Sequence, residues 1–515
     1  MPEDLDPRND EVSPPSEPTP GLLRNLVSLV GIAIAIVAAA NIAFLVFIDF
    51  MSAHPSPYLG IFAYMLMPAV MVIGLLMIPL GMLIERHRRR KSAPSVIPKF
   101  PRIDLNNPKQ RKMIAAVVAF TVLFVVVSAA GSYRAYEFTD SVQFCGQLCH
   151  TVMNPEFTAY QQSPHARVAC VDCHVGAGAT WYVKSKLSGA YQVYAATFNK
   201  FPRPIPTPVE NLRPAQETCE QCHWPKKFWG AQLKVFNHYA NDEQNTPRQI
   251  RMLIKTGGGD ASTGQPSGIH WHMNISNEIT YIATDKQRQT IPWVQAKNTD
   301  TGKITVYAVK DTALSQDQIA KSNHRRMDCV DCHNRPTHIY VPPDRSVDNA
   351  IAAGKIDPSL PFVKQQTVTL LTATYDTTEQ AKNAIGQALQ KFYQEKYPDV
   401  WNNRHAAVVA AVAETQRIYE TTIFPEMKVD WRVHPNNIGH FYSQGCFRCH
   451  DGNHVSSDGK VISKDCESCH TMIAEAAGGT EIAGSVKGAA FKHPVDLGDM
   501  TAVNCSDCHT GGVGP

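Results

Sequence analysis

Every cysteine of this chain belongs to one kind of motif. The 14 Cys of the 515 residues form seven pairs, each followed directly by His: Cys145/Cys149-His150, Cys170/Cys173-His174, Cys219/Cys222-His223, Cys329/Cys332-His333, Cys446/Cys449-His450, Cys466/Cys469-His470 and Cys505/Cys508-His509. Two thiols at this spacing can add to the vinyl groups of a porphyrin, and the adjacent imidazole then reaches the iron as its proximal ligand. One such motif alone could equally be half of a zinc site. Seven copies leave no Cys for a disulfide framework or a free nucleophile, so the pattern implies seven covalently bound c-type haems. The first motif is irregular, with Gly146-Gln147-Leu148 between its thiols. The alternative for that motif is that it binds no haem.

The second axial position decides the chemistry. A six-coordinate haem carries electrons, whereas an open position can bind a small substrate. Of the 20 His, seven are proximal, and His54 and His87 fall in the apolar N-terminal part. Eleven remain: His165, His238, His270, His272, His324, His338, His405, His434, His440, His454 and His493. That supply allows full bis-His ligation. His165, His324 and His338 rank first because they flank motifs at regular spacing. The stretch from His165 to His174 and that from His324 to His333 share the frame H-x-R-x-x-C-V-D-C-H, as a duplicated haem unit would. His440, His454 and His493 follow, then His270 or His272. For each, the competing reading is a solvated side chain, and His405, on an Ala-rich segment, reads as structural. Met153 follows His150 by three residues and is either a thioether ligand of the first iron or a core Met.

Three apolar runs must anchor these groups: Leu22 to Phe50, Tyr58 to Ile84 and Met113 to Ala130. The third just reaches the length of about 18–20 residues that a bilayer crossing requires. The first run contains Ala38-Ala39-Ala40, which resembles a signal cleavage site, but it stays apolar through Phe50 and reads as a retained helix. Residues 1–22 are Pro-rich and acidic, as in a disordered cytoplasmic tail. Residues 23–130 then hold three transmembrane helices with a basic loop at 85–112, where ten Lys and Arg face only Glu85 and Asp104. The positive-inside rule puts that loop in the cytoplasm, hence the N-terminus too, and every motif across the membrane on its outer side. With 49 basic against 46 acidic residues, the chain has no basic excess for nucleic acid.

Seven haems in residues 131–515 leave roughly 55 residues each. Porphyrins must therefore form much of the interior, and regular structure should be sparse. The expected fold is a membrane-anchored multihaem cytochrome c: three transmembrane helices plus a mainly α haem domain with a minor β insertion. Four motifs define 131–343, with a Cys-free insertion at 224–322 whose stretches Glu278 to Ala283 and Lys303 to Val309 favour strands. A second spacer, 344–430, reads as helical from Thr378 and again from Arg404 to Phe424. The remaining three motifs crowd into 431–515.

The stretch from Phe144 through Cys145, Cys149, His150 and Met153 to Pro155 resembles the NapC/NirT/NrfH family of membrane-anchored quinol dehydrogenases. So does Ser163 to His174, and Cys332 to His338 is similar in style. The resemblance covers about 130–340. Three helices with seven motifs also resemble the seven-haem inner-membrane cytochromes of metal-reducing bacteria. The family implies menaquinol oxidation at the membrane face near the first haem, with electrons passed to periplasmic multihaem cytochromes. Family members carry Lys and an acidic residue just after the second motif. Here Lys184 and Lys186 remain, but Gln192 stands where the carboxylate is expected. Gln cannot accept a proton, so Asp140 or Glu137 becomes the candidate base. Headgroup anchoring is the rival role for both lysines.

Three functions compete. A quinol-oxidising conduit needs one membrane-facing haem accessible to quinol and the others saturated. A terminal reductase of nitrite or hydroxylamine needs an open haem, and such enzymes often replace one proximal His by Lys. All seven motifs here end in His, which favours the conduit. The third reading is the same conduit run as a quinone reductase, since direction depends on potentials. A homo-oligomer is compatible with all three.

Overall fold

The computed structural model describes residues 22–513 apart from 24, 52–66, 93–104, 149, 176–178, 210–211, 258–267, 275, 311–312, 486, 490, 492 and 499–502. Residues 1–21, the segment connecting the first two apolar runs, part of the basic loop and Cys149 lie outside the described residues. So do the side chains of His150 and Lys186. The chain forms two compact units, Met1–Phe144 and Cys145–Pro515.

The first unit holds α1 (Leu26–Met51), α2 (Met67–Ser92) and α3 (Pro108–Thr139). Within α1 and α2, Leu26–Leu45 and Met67–Lys91 are long and apolar enough to cross a bilayer. The third apolar run lies inside α3, a helix of 32 residues capped by Asn107, whose side chain accepts from the Lys109 N–H. α1 and α2 pack antiparallel through small residues. A Cβ on Gly31 would meet the Gly74 carbonyl at 2.7 Å, and one on Gly74 would meet the Ala35 nitrogen at 2.8 Å. Ser28, fully buried, donates to Ile78 O at 2.9 Å. Lipid gives helices little hydrophobic reason to associate, so backbone closeness of this kind has to supply the packing.

The second unit begins with α4 (His150–Gln161) and α5 (Ala179–Thr197). Strands β1 (Gln232–Tyr239), β2 (Pro247–Ile254), β3 (Asn277–Ile282), β4 (Trp293–Asn298), β5 (Ile304–Val309) and β6 (Arg325–Arg326) follow. Four helices come next, α6 (Pro343–Ala352), α7 (Val363–Thr372), α8 (Thr378–Lys396) and α9 (His405–Thr422), then β7 (His454–Ser456), β8 (His470–Ala477) and β9 (Thr480–Gly484). The strands form two antiparallel sheets, ordered β1-β2-β8-β9 and β6-β3-β4-β5-β7. Both sheets join the spacer after the third motif to strands from the C-terminal motif region.

Helices α6 to α9 enclose the main core, with Val347, Ile356, Leu360, Val363, Ile385, Leu389, Tyr393 and Val408 all fully buried. A smaller cluster, Ile279, Tyr281, Ile291 and Val294, fills the second sheet.

Candidate haem sites and quinol face

Four of the motifs fold as a single turn that brings the His one helical step from its first Cys. The N–H of His223, His333, His450 and His509 donates to the carbonyl of Cys219, Cys329, Cys446 and Cys505 at 2.8 to 3.0 Å. The Asp of the recurring C-x-D-C pattern stabilises that turn from within. Asp172, Asp331 and Asp507 accept from the N–H of Ala169, Asp328 and Asn504 at 3.2, 2.8 and 2.9 Å. This is half of a capping box. Asp331, nearly fully buried, also accepts from Tyr281 Oη, Arg288 and Arg325. The repeated Val-Asp was visible in the sequence, and its capping role is the signal it carried.

The thiols are not equally enclosed by the chain. Cys222, Cys466 and Cys508 are exposed, whereas their motif partners Cys219, Cys469 and Cys505 are partly buried. Cys222 and Cys508 therefore stand at the surface, each directly before its proximal His, with no disulfide partner. A thioether forms at the rim of a porphyrin, so attachment there requires reach to the vinyl group rather than burial by protein. Cys222 and Cys508 remain candidates for attachment on spacing, without the enclosure seen at the other motifs.

In the first motif the extra residue is taken up by a π-helical turn, Phe144–Leu148. Gly146 is buried in it against the Phe157 ring, which a Cβ would meet at 2.1 Å. One inserted residue is what a wider turn absorbs. Met153 is half-buried on α4, three residues after His150.

Six proximal rings each face a second imidazole. The centroid separations are 6.3 Å for His174 with His338, 6.0 Å for His223 with His165 and 6.3 Å for His333 with His270. They are 5.7 Å for His450 with His272, 6.1 Å for His470 with His440 and 6.1 Å for His509 with His493. Two imidazoles on opposite sides of one metal, bonded at about 2 Å with each nitrogen roughly 1.2 Å from its ring centre, stand about 6.4 Å apart. The six pairs fit an iron between them.

Their hydrogen bonds point the same way. The Nδ1–H of His165, His338, His270, His272 and His493 donates to the carbonyls of Pro336, Glu156, Thr256, Ile269 and Val495 at 2.6 to 3.2 Å. A metal-bound His ordinarily anchors its second nitrogen in this manner, which leaves Nε2 for the metal. Burial pushes His338 down to about 4 and also lowers His174, His272, His333, His440, His470 and His509. Those rings stay neutral, the form that coordinates.

Two expected partners are placed elsewhere. His324 sits against the Trp293 ring at 5.2 Å, and its Nε2 donates to Ile319 O at 2.8 Å. Pairing of the adjoining β6 with β3 holds it there, and His270 takes the place facing His333 instead. His454 is buried in β7 with Nε2 donating to Ile291 O at 2.7 Å and Nδ1 2.9 Å from Asp451. Both nitrogens are engaged, so His454 reads as a structural residue. His270 and His272, ranked as alternatives, each face a different proximal ring.

The motifs follow one another in space as they do in sequence. Cys145 contacts Cys170, and Cys219 contacts Cys329. Cys173 lies within electrostatic reach of Cys219 and Cys222, Cys332 of Cys446, Cys446 of Cys469 and Cys466 of Cys505.

Of the residues considered for quinol chemistry, Lys184, Gln192 and Glu137 are exposed and Asp140 is half-buried, while the Lys186 side chain lies outside the described residues. Lys184 is exposed on α5 with its ammonium 5.0 Å from the centre of the Trp181 ring. Gln192, two turns on, donates to Ser188 Oγ at 3.3 Å, which places Lys184, Ser188 and Gln192 on one face. Leu187, Tyr191 and Tyr194 form an exposed apolar stripe beside it. Asp140 caps the C-terminus of α3, and Glu137 lies 4.0 Å from Arg134.

Over 505 residues the chain is 46% identical to the cytochrome c-type protein ImcH of Geobacter sulfurreducens, spanning 96% of this chain and 98% of that one. Residues 107–204 match the NapC/NirT cytochrome c family, N-terminal region. The chain belongs to the NapC/NirT cytochrome c family. This NapC/NirT cytochrome is also 26% identical to NrfH of Wolinella succinogenes over 150 residues, 28% of this chain and 83% of NrfH. It is 23% identical to TorC of Escherichia coli over 224 residues, 40% of this chain and 52% of TorC. Residues 440–512, which hold the last three motifs, match the cytochrome c3 family. No solved structure matches the chain. Membership in the NapC/NirT cytochrome c family implies covalently bound c-type haem, and the two apolar helices fit a membrane-anchored redox protein.

Proposed function

We propose that this cytochrome oxidises menaquinol at the periplasmic face of the inner membrane and delivers the electrons to periplasmic multihaem cytochromes. Seven haems, attached at the seven motifs, would supply the one-electron redox chemistry. The chain would hold them in order, and the six His pairs described above would ligate six of the irons. That pairing is the observation that carries the reading. An iron flanked by two imidazoles has no place for nitrite or hydroxylamine, so a conduit is favoured over a terminal reductase. His150 with Met153 would serve the first iron. Its motif begins six residues after α3 ends, on the side where quinol arrives.

A quinol gives up two protons with its two electrons. Lys184 and Lys186 would steady the quinolate oxygen, Gln192 would donate a hydrogen bond, and Asp140 or Glu137 would take the proton. The exposed aromatic stripe of α5 suits the headgroup layer, where amphipathic rings collect. All three N-terminal helices would cross the bilayer, with the basic loop in the cytoplasm.

The test is anaerobic stopped-flow mixing of the oxidised, detergent-solubilised protein with a menaquinol analogue, followed by haem absorbance. Rapid reduction that a quinone-site inhibitor blocks supports the reading. Inertness to quinol, with rapid oxidation of the reduced protein by nitrite or hydroxylamine, overturns it in favour of the reductase. In the same assay Lys184→Ala is expected to slow quinol oxidation at least several-fold with haem content unchanged. Normal kinetics would remove Lys184 from the site.

A further inference from the structure

Two buried basic side chains remain without use in the sites above. Arg335 is 7% exposed and His434 3% exposed. Arg335 Nε and His434 Nε2 are both buried with no hydrogen-bond partner. They converge on one hydroxyl: Thr207 Oγ1 accepts from Arg335 Nη2 at 3.3 Å and lies 3.3 Å from His434 Nδ1. The guanidinium carbon lies 5.5 Å from the centre of the Tyr340 ring, which in turn stands 6.0 Å from the His434 ring. Glu156 is the carboxylic acid in the neighbourhood, yet its Oε1 accepts from Tyr340 Oη at 3.4 Å and burial raises its pKa toward the neutral form. Arg335 thus makes no ion pair within 4.0 Å among the described residues.

A guanidinium out of water with a donor unused costs several kcal/mol, so such a group needs an anion. The anion must be compact, partly buried and brought to this place by the fold itself. A haem carries two propionate carboxylates, and a planar two-oxygen acceptor matches the donor fork of Arg. Arg335 lies three residues before His338, whose carbonyl is 3.5 Å from Arg335 Nη1 and whose ring faces His174.

We propose that Arg335, Thr207 and His434 form a clamp for one propionate of the haem attached at Cys170 and Cys173. The clamp keeps that carboxylate ionised in a buried setting and holds the porphyrin's rotation about the His174–His338 axis. The cation also offsets the propionate's negative charge near the iron, which would otherwise favour the ferric state. This inference rests on the proposed His174–His338 pairing.

The experiment uses the full-length, haem-loaded protein in detergent. Arg335→Met and Arg335→Lys are compared by pyridine haemochrome content, anaerobic redox titration and resonance Raman of the propionate bending modes. The expected result for Arg335→Met is full haem content, retained low-spin spectra, a downward shift of one midpoint potential and a shifted propionate band. Arg335→Lys, which keeps the charge, should recover most of the potential shift. Unchanged potentials and an unchanged band at full haem content overturn the clamp. If Arg335→Met does not accumulate, Thr207→Val and His434→Phe must each move the same band, and silence in both overturns it. His338→Ala separates the underlying pairing: a new high-spin haem supports it, whereas no spectral change means the pairing, rather than the clamp, has failed.

Discussion

Between Pro343 and Trp431 the chain closes an interior from its own side chains, whereas around the Cys-His motifs it does not. Leu360, Leu389 and Tyr393 are inaccessible in the helical block. Near the motifs, Trp224, Trp229 and Phe491 keep 59, 56 and 54% of their surface exposed. Large side chains of this kind each stabilise a fold by about 1.5–3 kcal/mol when covered. The contrast suggests that the haem-bearing parts take their missing interior from porphyrin, while the block needs none. It also explains why one region reads as ordinary helical protein and the other as loops punctuated by single turns.

The largest break in that contrast should come from denying the chain its cofactor. Protein made without cytochrome c maturation is expected to lose both motif regions to limited proteolysis. A resistant fragment within 343–431 should remain, identifiable by mass spectrometry. Survival of the motif regions would show that the chain folds them unaided. A smaller perturbation is Leu389→Ala, which should cost about 2–5 kcal/mol in denaturant unfolding while the haem spectra stay normal. Phe491→Ala is the sharper partner experiment. A solvated side chain would change stability by less than about 0.5 kcal/mol. If porphyrin covers Phe491, the loss should exceed that and the Soret band should move.

The contrast also explains how much the sequence disclosed. Motif positions follow from covalent chemistry, and strands near 278 and 304 and helices near 378 and 405 follow from local periodicity, so each was legible. How far each thiol is enclosed was not: Cys222 and Cys508 have the same spacing as the enclosed pairs yet lie at the surface, because burial depends on which distant segment packs over the turn. The axial pairs were also less legible. His338 faces back to His174, and His165 faces forward to His223, each pair joining segments remote in sequence. Proximity along the chain therefore over-ranked His324, whose repeat frame matches that of His165 but whose flanking strand draws it to Trp293. The shared sheets were hidden for a similar reason: β8 and β9 lie beyond two motifs from the strands they join.

The subtlest expected effect concerns ring orientation. The planes of His270 and His333 are nearly parallel, 3° apart, whereas those of His272 and His450 are 87° apart and those of His165 and His223 76°. Parallel imidazoles split the iron d orbitals strongly, and crossed ones leave them nearly degenerate. Low-temperature electron paramagnetic resonance of the oxidised protein should therefore contain both a rhombic low-spin signal and highly anisotropic ones. A single uniform signal would mean that the angles relax when haem is bound.

His270 and His272 share one turn, Ile269–Met273, and face the proximal rings of the fourth and fifth motifs. Those motifs lie on either side of the helical block in sequence. If both rings ligate haem iron as proposed, two neighbouring cofactors would share a bracket only five residues long. Electron tunnelling falls off steeply with separation, and a bracket this short limits how far thermal breathing of the two flanking lobes can stretch the gap. The place where the four-motif and three-motif regions meet would then be mechanically stiff and resistant to gating.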